Sequence, residues 1–254
     1  MSRKRKAIPF LPPESKLIPN IITVFALCAG LTSIRFALQQ RWEEAVAAIF
    51  IAAILDGLDG RIARLMKATS RFGAELDSLS DFVSFGVAPA ILVYQRSLFE
   101  LKSFGWAIVL IYTICCALRL ARFNIQSHSN ASQIAYTPGF FTGIPSPAAA
   151  VLSLLPIIAF FEIKEPFILN PWGWGIWMMS LSGLMISHLP TLSIKNLRLK
   201  PQFLSTFFLL FVILIALMIT FPWIVILVMS FIYILTLPFS YRAHKRKQKS
   251  INNS

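Results

Sequence analysis

The stretch FLSTFFLLFVILIALMI, residues 203–219, runs for seventeen positions without a charged side chain. At a rise of about 1.5 Å per residue, a helix of this length comes close to spanning the hydrocarbon core of a bilayer. The rest of the chain has the same character, because 56% of its 254 residues are hydrophobic and its mean hydropathy is +0.68. A soluble domain of this size needs more polar surface than that. The sequence therefore predicts an integral membrane protein.

Seven other apolar segments of similar length surround this run and are separated by turn residues such as Asn170-Pro171 and Pro222. The predicted fold class is all-α: a polytopic transmembrane helix bundle of about eight spans. The polar segment 125–142 is predicted to be a loop. The predicted spans are residues 20–39, 42–63, 74–97, 103–122, 143–161, 172–189, 203–219 and 221–240.

Positive charge is concentrated at the two ends of the chain and in alternate connections. Of the 24 Lys and Arg residues, 19 lie in or beside the two tails and the second, fourth and sixth connections, and 4 lie in or beside the others. Because Lys and Arg accumulate on the cytoplasmic side, we predict a multi-pass protein of the cell (inner) membrane with both termini in the cytoplasm. The basic clusters at 3–6 and 244–249 flank apolar spans, so we expect them to meet anionic lipid headgroups and not nucleic acid.

All four aspartates of the chain fall within 26 consecutive residues, in the predicted cytoplasmic half of the second and third spans. Asp56 and Asp59 are three positions apart, and Asp77 and Asp81 are four apart, so each pair shares one face of its helix. The short connection between the two spans folds them into a hairpin. We therefore expect the two acidic faces to meet.

Two explanations are open for this cluster. In the first, the carboxylates only pair with Arg61 and Arg64 to specify packing; in the second, they bind cations. An aspartate at mid-bilayer depth costs about 2.5–3.5 kcal/mol, and four like charges also repel one another, which favours the cations. Carboxylates without His or Cys select Mg²⁺ or Mn²⁺, and four of them can hold two such ions. Gly57, Gly60 and Gly73 leave room around the acidic faces for a bulky anionic ligand, although small residues also serve tight helix packing.

The run DGLDGRIARLMKATSRFGAELDSLSD, Asp56 to Asp81, resembles the signature of the CDP-alcohol phosphotransferase family. That signature is D-x2-D-G-x2-A-R, then eight residues, then G-x3-D-x3-D, and every spacing agrees. The resemblance covers the first six spans and implies a catalytic membrane core over residues 1–190. Residues 191–254 are then two additional C-terminal helices with a basic tail. The family implies an enzyme that transfers the phosphatidyl group of CDP-diacylglycerol to an alcohol, and we expect a homodimer.

The resemblance also implies a role for individual residues. Asp56, Asp59 and Asp77 would hold one divalent cation, Mg²⁺ or Mn²⁺, and Asp56, Asp77 and Asp81 would hold a second. Asp81 would also take the proton from the attacking hydroxyl. The residues expected to bind the CDP-lipid are Asn20, Thr23, Gly60, Arg64, Ser70 and Gly73.

The acceptor alcohol is a separate question. The segments ALRLARFN (117–124) and FFTGIPSPAAA (140–150) resemble those of bacterial and archaeal family members that use L-serine. Arg119 and Arg122 can bind a carboxylate or phosphate, or can simply follow the positive-inside rule. The resemblance favours Arg122 and Asn124 as serine-binding residues.

Other functions stay open at this point. The alternative acceptors are glycerol phosphate, inositol phosphate and choline, although a phosphorylated acceptor calls for more basic residues. A cation transporter is the alternative from a different class, but it predicts internal repeats or charges spread through the membrane depth, and neither is visible. A metal-dependent prenyl transferase lacks the glycine and arginine positions of the motif.

Overall fold

The computed structural model describes residues 17–66, 68, 70–128, 140–187, 190–192 and 204–236. Within these residues the chain forms eight helices and two short 3₁₀ turns, so the prediction of a bundle of about eight helices is confirmed. The helices are α1 Leu17–Leu38, α2 Trp42–Leu65, α3 Arg71–Arg96, α4 Ser103–His128, α5 Ser146–Ile163, α6 Pro171–Ile186, α7 Leu204–Thr220 and α8 Pro222–Thr236.

Four of the helices in the described part of the chain have the length and composition of membrane spans. α1, α3, α5 and the Ser103–Ile125 part of α4 are long and apolar enough to cross a bilayer, and α8 and the Phe208–Thr220 part of α7 are shorter apolar helices. Every residue of α7 from Phe208 to Thr220 is exposed, and nearly all of them are apolar. Lipid tails solvate such side chains as well as a protein core does. The chain is therefore a multi-pass membrane protein.

α1 and α2 form a tight antiparallel hairpin. The turn between them includes Gln40, which has a positive φ of 59°. Ser33 Oγ donates a hydrogen bond to the carbonyl oxygen of Ala45 at 2.8 Å, which ties the two helices together near the turn. Small buried side chains, among them Ala37 and Ala45, let the two backbones approach closely. This packing fixes α1 against the helix that carries Asp56 and Asp59.

α3 contains a π-helical segment, Phe82–Val87, directly after Asp81. The wider turn is supported from two sides, because Ser84 Oγ donates to the carbonyl oxygen of Ala26 at 3.4 Å and Tyr112 Oη donates to that of Phe85 at 3.2 Å. Such segments are common at functional sites because they re-aim neighbouring side chains. These hydrogen bonds join the π-helical segment of α3 to α1 on one side and to α4 on the other.

α5 is interrupted at Leu154, just before Pro156. Proline has no backbone N–H and cannot donate to the carbonyl oxygen four residues earlier, that of Leu152. Trp177 Nε1 from α6 donates to this oxygen at 2.8 Å. The buried Trp174 donates in the same way to the carbonyl oxygen of Ser153 at 3.3 Å. Two indole groups therefore satisfy the backbone around the break and join α6 to α5.

The predicted loop 125–142 is wrong at both ends. α4 continues to His128, and Phe140–Thr142 form a short strand, β1. It pairs antiparallel with β2, Pro190–Leu192, which follows α6. The fifth helix also begins later than predicted, at Ser146, because Gly143 has a left-handed φ of 76° and Pro145 precedes the first turn. This pairing places the start of α5 beside the ends of α4 and α6.

α8 packs against α5. The rings of Phe161 and Trp223 lie 5.0 Å apart, and Ile226 is buried. The described side chains of α7 include no such buried residue. Of the two C-terminal helices, α8 is therefore the one with a buried contact to α5.

Candidate active site

Two helices bring the four aspartates together. Asp56 and Asp59 lie in the last turns of α2, and Asp77 and Asp81 lie in the first half of α3. Carboxylate oxygens of Asp56, Asp59 and Asp77 all lie within 4.8 Å of one another. Asp81 lies one turn further along α3 than Asp77, and both carboxyl groups interact electrostatically with Asp56. Asp56 is thus the shared member of the cluster.

Basic residues do not neutralise this cluster within the part of the chain that the structure describes. The ion pair found there joins Arg41 to Glu44 at 2.9 Å, at the opposite end of α2. Arg64 instead folds back along its own helix, with Nε donating to the carbonyl oxygen of Gly60 at 2.8 Å. Arg61 is exposed. Ion pairing for packing therefore does not account for the aspartates.

The cluster fits a divalent metal ion. Its donors are carboxylate oxygens alone, which hard cations such as Mg²⁺ and Mn²⁺ prefer. Asp59 is only 4% exposed, and a buried carboxylate with no cationic partner among the described residues is costly. Asp56, Asp59 and Asp77 are the residues that would hold the ion.

Thr23 of α1 contacts the acidic cluster through Asp59. Its Oγ1 lies 2.6 Å from Asp59 Oδ2 and 3.1 Å from the carbonyl oxygen of Pro19. Ser80 Oγ of α3 donates to the carbonyl oxygen of Thr23 at 3.3 Å. The assignment of Thr23 to the CDP-lipid stays a prediction, and in the structure its hydroxyl contacts the carboxylate of Asp59. The available signal was its spacing from Pro19, Ala26 and Gly30, the buried face of α1.

Three of the predicted donor-binding residues meet at the start of α3. Ser70 caps this helix, its Oγ accepting from the backbone N–H of Gly73 at 3.0 Å. Asn20 lies across the same turn, since a Cβ added to Gly73 would stand 2.8 Å from Asn20 Oδ1. The three residues form a polar patch at a helix N-terminus, where backbone N–H groups attract anions.

The glycines of the motif divide into two kinds. A Cβ on Gly57 or Gly60 would meet no atom within 4 Å, whereas one on Gly73 would press on Asn20 and Ser70. Tight helix packing explains Gly73 but not the other two. Gly57 and Gly60 therefore leave open space beside the carboxylates, as a bound ligand requires.

The residues predicted for the acceptor lie on α4, and each has a partner inside the protein. Asn124 Nδ2 donates to Ser78 Oγ of α3 at 2.9 Å, between the two aspartates of that helix. Arg122 Nη1 donates to the carbonyl oxygen of Ile186, the last residue of α6, at 3.0 Å. Arg119 Nη1 donates to Ser146 Oγ, at the first residue of α5, at 2.6 Å. α4 thus links the acidic helix to α5 and α6.

Fold and site together define a class: a multi-pass helical membrane protein with a carboxylate cluster suited to a divalent cation. The chain belongs to the CDP-alcohol phosphatidyltransferase family, whose model matches residues 16–189. A second model, CDP-alcohol phosphatidyltransferase 2, matches residues 204–238, which include α7 and α8. The family consists of metal-dependent enzymes, in agreement with the cluster.

Curated relatives match most of the chain. A CDP-diacylglycerol–serine O-phosphatidyltransferase of Mycobacterium leprae is 40% identical over 239 residues, covering 94% of this chain and 77% of the relative. A protein with the same name from Mycobacterium tuberculosis (strain ATCC 25618 / H37Rv) is 38% identical over 231 residues, covering 91% and 80%. One from Bacillus subtilis is 34% identical over 180 residues, covering 71% of this chain and 95% of the relative.

Proposed function

We propose that this protein transfers the phosphatidyl group of CDP-diacylglycerol to the hydroxyl of L-serine, giving phosphatidylserine and CMP. The observation that carries the proposal is the meeting of Asp56, Asp59 and Asp77 beside the open positions Gly57 and Gly60. The family supplies the reaction class, and the names of the relatives supply serine as the acceptor. The C-terminal helices take no part in the acidic motif, so we divide the chain into a core, 1–190, and an addition, 191–254.

We propose that the cluster holds two divalent cations, Mg²⁺ or Mn²⁺. Asp56, Asp59 and Asp77 hold the first, and Asp56, Asp77 and Asp81 the second. The position of Asp56 beside Asp77, and its electrostatic interaction with Asp81, support this sharing. Such ions neutralise a diphosphate and polarise its phosphorus. Thr23 fixes the rotamer of Asp59 and thereby the shape of the first site.

The donor is proposed to lie along the two helix ends that face each other. Its diphosphate fits the space left open at Gly60, with Arg64 one turn further along α2. Asn20, Ser70 and Gly73 offer a polar patch for the remainder of the CDP headgroup. The acyl chains stay in the bilayer, beside the exposed apolar faces of the bundle.

The chemical step is a single displacement. Asp81 accepts the proton of the serine hydroxyl, and the resulting oxygen attacks the phosphorus that carries the lipid. The bond from that phosphorus to the bridging oxygen of the diphosphate breaks, and CMP leaves. Arg122 and Asn124 are proposed to border the acceptor side. Asn124 contacts Ser78, on the helix that carries the base, which supports its placement.

We further propose that the protein resides in the cell (inner) membrane as a homodimer, with both termini and the active site on the cytoplasmic side. The charge asymmetry of the connections supports this orientation. CDP-diacylglycerol can then reach the site from the bilayer, and serine from the cytoplasm.

The test is a reconstitution with the purified protein. CDP-diacylglycerol and Mg²⁺ or Mn²⁺ are incubated separately with L-serine, glycerol phosphate, inositol phosphate and choline, and the lipid product is identified by mass spectrometry. We expect phosphatidylserine and an equal amount of CMP with serine alone. Another phosphatidyl lipid as the main product would keep the reaction class and refute serine as the acceptor.

Asp81→Asn tests the role of the base. Asparagine is nearly isosteric and still offers one oxygen to a metal ion, but it is a far poorer base. Single-turnover CMP release should fall by roughly 10²–10⁴ while much of the affinity for CDP-diacylglycerol remains. Asp56→Asn, which changes the residue shared by both ions, should weaken donor binding as well. Near-normal CMP release from Asp81→Asn would eliminate this residue as the base.

A further inference from the structure

Two buried polar atoms lie outside the acidic cluster and lack a hydrogen-bond partner among the described residues. They are Nε of Arg119, on α4, and Oη of Tyr233, on α8. Buried donors without a partner are rare in native proteins, and each needs an explanation. Arg119 Nε can only donate, and Tyr233 Oη can donate or accept, so a single acceptor group can satisfy both atoms.

Both side chains adjoin the start of α5. Arg119 Nη1 is held by Ser146 Oγ at 2.6 Å, at the start of α5. Tyr233 borders a cavity of about 270 Å³ that Pro147 and Ala148 of the same helix also line. The start of α5 thus lies between α4 and α8 and brings the two donors together.

Arg119 also contributes to the electrostatic environment of Asp81, the residue proposed as the base. No nitrogen of Arg119 lies within 4.0 Å of a carboxylate oxygen in the described part of the chain, so the two groups are not an ion pair. Because the Arg119 guanidinium and the Asp81 carboxylate are not paired with each other, they are available to bind the two ends of one small molecule.

We propose that Arg119 and Tyr233 form the subsite that binds the carboxylate of the acceptor. The inference rests on the proposed function and deepens it. The carboxylate accepts from Arg119 Nε and Tyr233 Oη, and the hydroxyl of the same molecule points to Asp81. Arg122 does not join this pair of donors, because its Nη1 donates to the carbonyl oxygen of Ile186, the last residue of α6. α8 then has a function, since it supplies one donor of the subsite.

The subsite discriminates between acceptors by charge. L-serine offers two carboxylate oxygens to two donors. Choline carries a positive charge and no such acceptor, so Arg119 would repel it. Ethanolamine fails for the same reason. A phosphate monoester would bring a larger charge than one arginine compensates. The single buried guanidinium therefore matches an amino acid better than the other alcohols of the family.

The experiment compares Tyr233→Phe and Arg119→Lys with wild type. Tyr233→Phe removes one hydroxyl, and Arg119→Lys keeps the charge but removes Nε. Tyr94→Phe is the matched control, because Tyr94 packs on Trp106 with ring centroids 5.3 Å apart and lies thirteen residues along α3 from Asp81. The kcat and the KM values for L-serine and CDP-diacylglycerol are measured for each protein, together with its thermal stability in detergent.

We expect each subsite variant to raise the KM for serine roughly tenfold or more, as expected for a lost hydrogen bond to a charged group. The KM for CDP-diacylglycerol and the kcat should change little, and Tyr94→Phe should behave as wild type. L-serinamide, which lacks the carboxylate, gives the second readout. Wild type should use it far less efficiently than serine, and both variants should lose much of this preference.

The outcomes separate the two levels of the proposal. Normal phosphatidylserine synthesis by wild type with an unchanged serine KM in both variants would overturn the subsite alone. An equal loss of activity toward serine and serinamide would also overturn it, because it would show a structural role. Failure of wild type to make phosphatidylserine at all would overturn the proposed function and the subsite with it.

Discussion

Thr23→Val is a sharp test of how the acidic cluster is organised. Valine has nearly the shape of threonine, so the substitution removes the hydroxyl and leaves the packing of α1 in place. The hydroxyl oxygen lies 2.6 Å from Asp59 Oδ2, and Asp59 is only 4% exposed. Water therefore has little access to replace the lost hydrogen bond.

The magnitude follows from this contact. A hydrogen bond to a charged group contributes about 1.5–3 kcal/mol. Residues that orient a metal ligand typically change metal affinity or activity by 10–100-fold when they are removed. We therefore expect the Mg²⁺ concentration for half-maximal activity to rise roughly 10–100-fold in Thr23→Val. The kcat at saturating Mg²⁺ should recover most of its wild-type value, because Asp59 itself remains.

The assay is a Mg²⁺ titration of CMP release at saturating CDP-diacylglycerol and serine. Thr32→Val is the matched control, because Thr32 lies on the same helix and its Oγ1 bonds only locally, to the carbonyl oxygen of Cys28 at 2.7 Å. It should leave the titration unchanged. If Thr23→Val instead raised the KM for CDP-diacylglycerol and left the Mg²⁺ dependence intact, Thr23 would be a donor-binding residue and our reasoning from the structure would be refuted.

Three further predictions concern the metal, the glycines and the orientation. Exhaustive EDTA treatment should abolish CMP release and added Mg²⁺ or Mn²⁺ should restore it; turnover that survives chelation would contradict the metal site. Gly60→Ala should raise the KM for CDP-diacylglycerol without lowering the melting temperature, whereas Gly73→Ala should lower both donor affinity and stability, since its Cβ would stand 2.8 Å from Asn20 Oδ1. Equal melting temperatures for the two variants would refute this distinction. A cysteine at Ser2 should resist a membrane-impermeant label added outside intact cells, and rapid labelling would reverse the proposed orientation.

The helical architecture and the acidic hairpin could be predicted because both depend on short-range spacing. Apolar runs of bilayer length indicate the spans. Separations of three and four residues place Asp56 with Asp59, and Asp77 with Asp81, on one face of each helix. The short connection between α2 and α3 folds the two helices into a hairpin, which brings these faces together. The confirmed eight helices follow from the same local periodicities.

Contacts between distant segments could not be predicted in this way. The hydrogen bond of Thr23 to Asp59 joins residues 36 positions apart, and that of Arg122 to Ile186 joins residues 64 apart. Periodicity indicates which face of a helix is buried but not which neighbour covers it. The predicted loop after α4 was misplaced for a related reason, because the short strand at Phe140–Thr142 is held by pairing with β2, about 50 residues later.

The glycines show what the structure adds to an ambiguous pattern. From the sequence, a ligand cavity is the favoured explanation for Gly57, Gly60 and Gly73 beside the four aspartates, and close helix packing is the alternative. The space around each Cβ position separates them, because two are open and one is crowded. The open pair lies on α2 beside the carboxylates, and the crowded one lies at the capped start of α3. One motif therefore contains open space on α2, where the donor is proposed to bind, and a tightly packed turn at the start of α3.

The separation between Arg119 and the aspartates has a physical consequence for the proposed reaction. A direct ion pair with Asp81 would cancel the charge that a divalent cation requires, and it would also occupy the guanidinium that the acceptor requires. Arg119 Nη1 instead donates to Ser146 Oγ at the start of α5. In the proposed reaction, the Arg119 guanidinium then attracts the carboxylate of the acceptor without forming an ion pair with Asp81. Ser146→Ala should therefore weaken serine binding more than donor binding, although Ser146 is not itself proposed to touch either substrate.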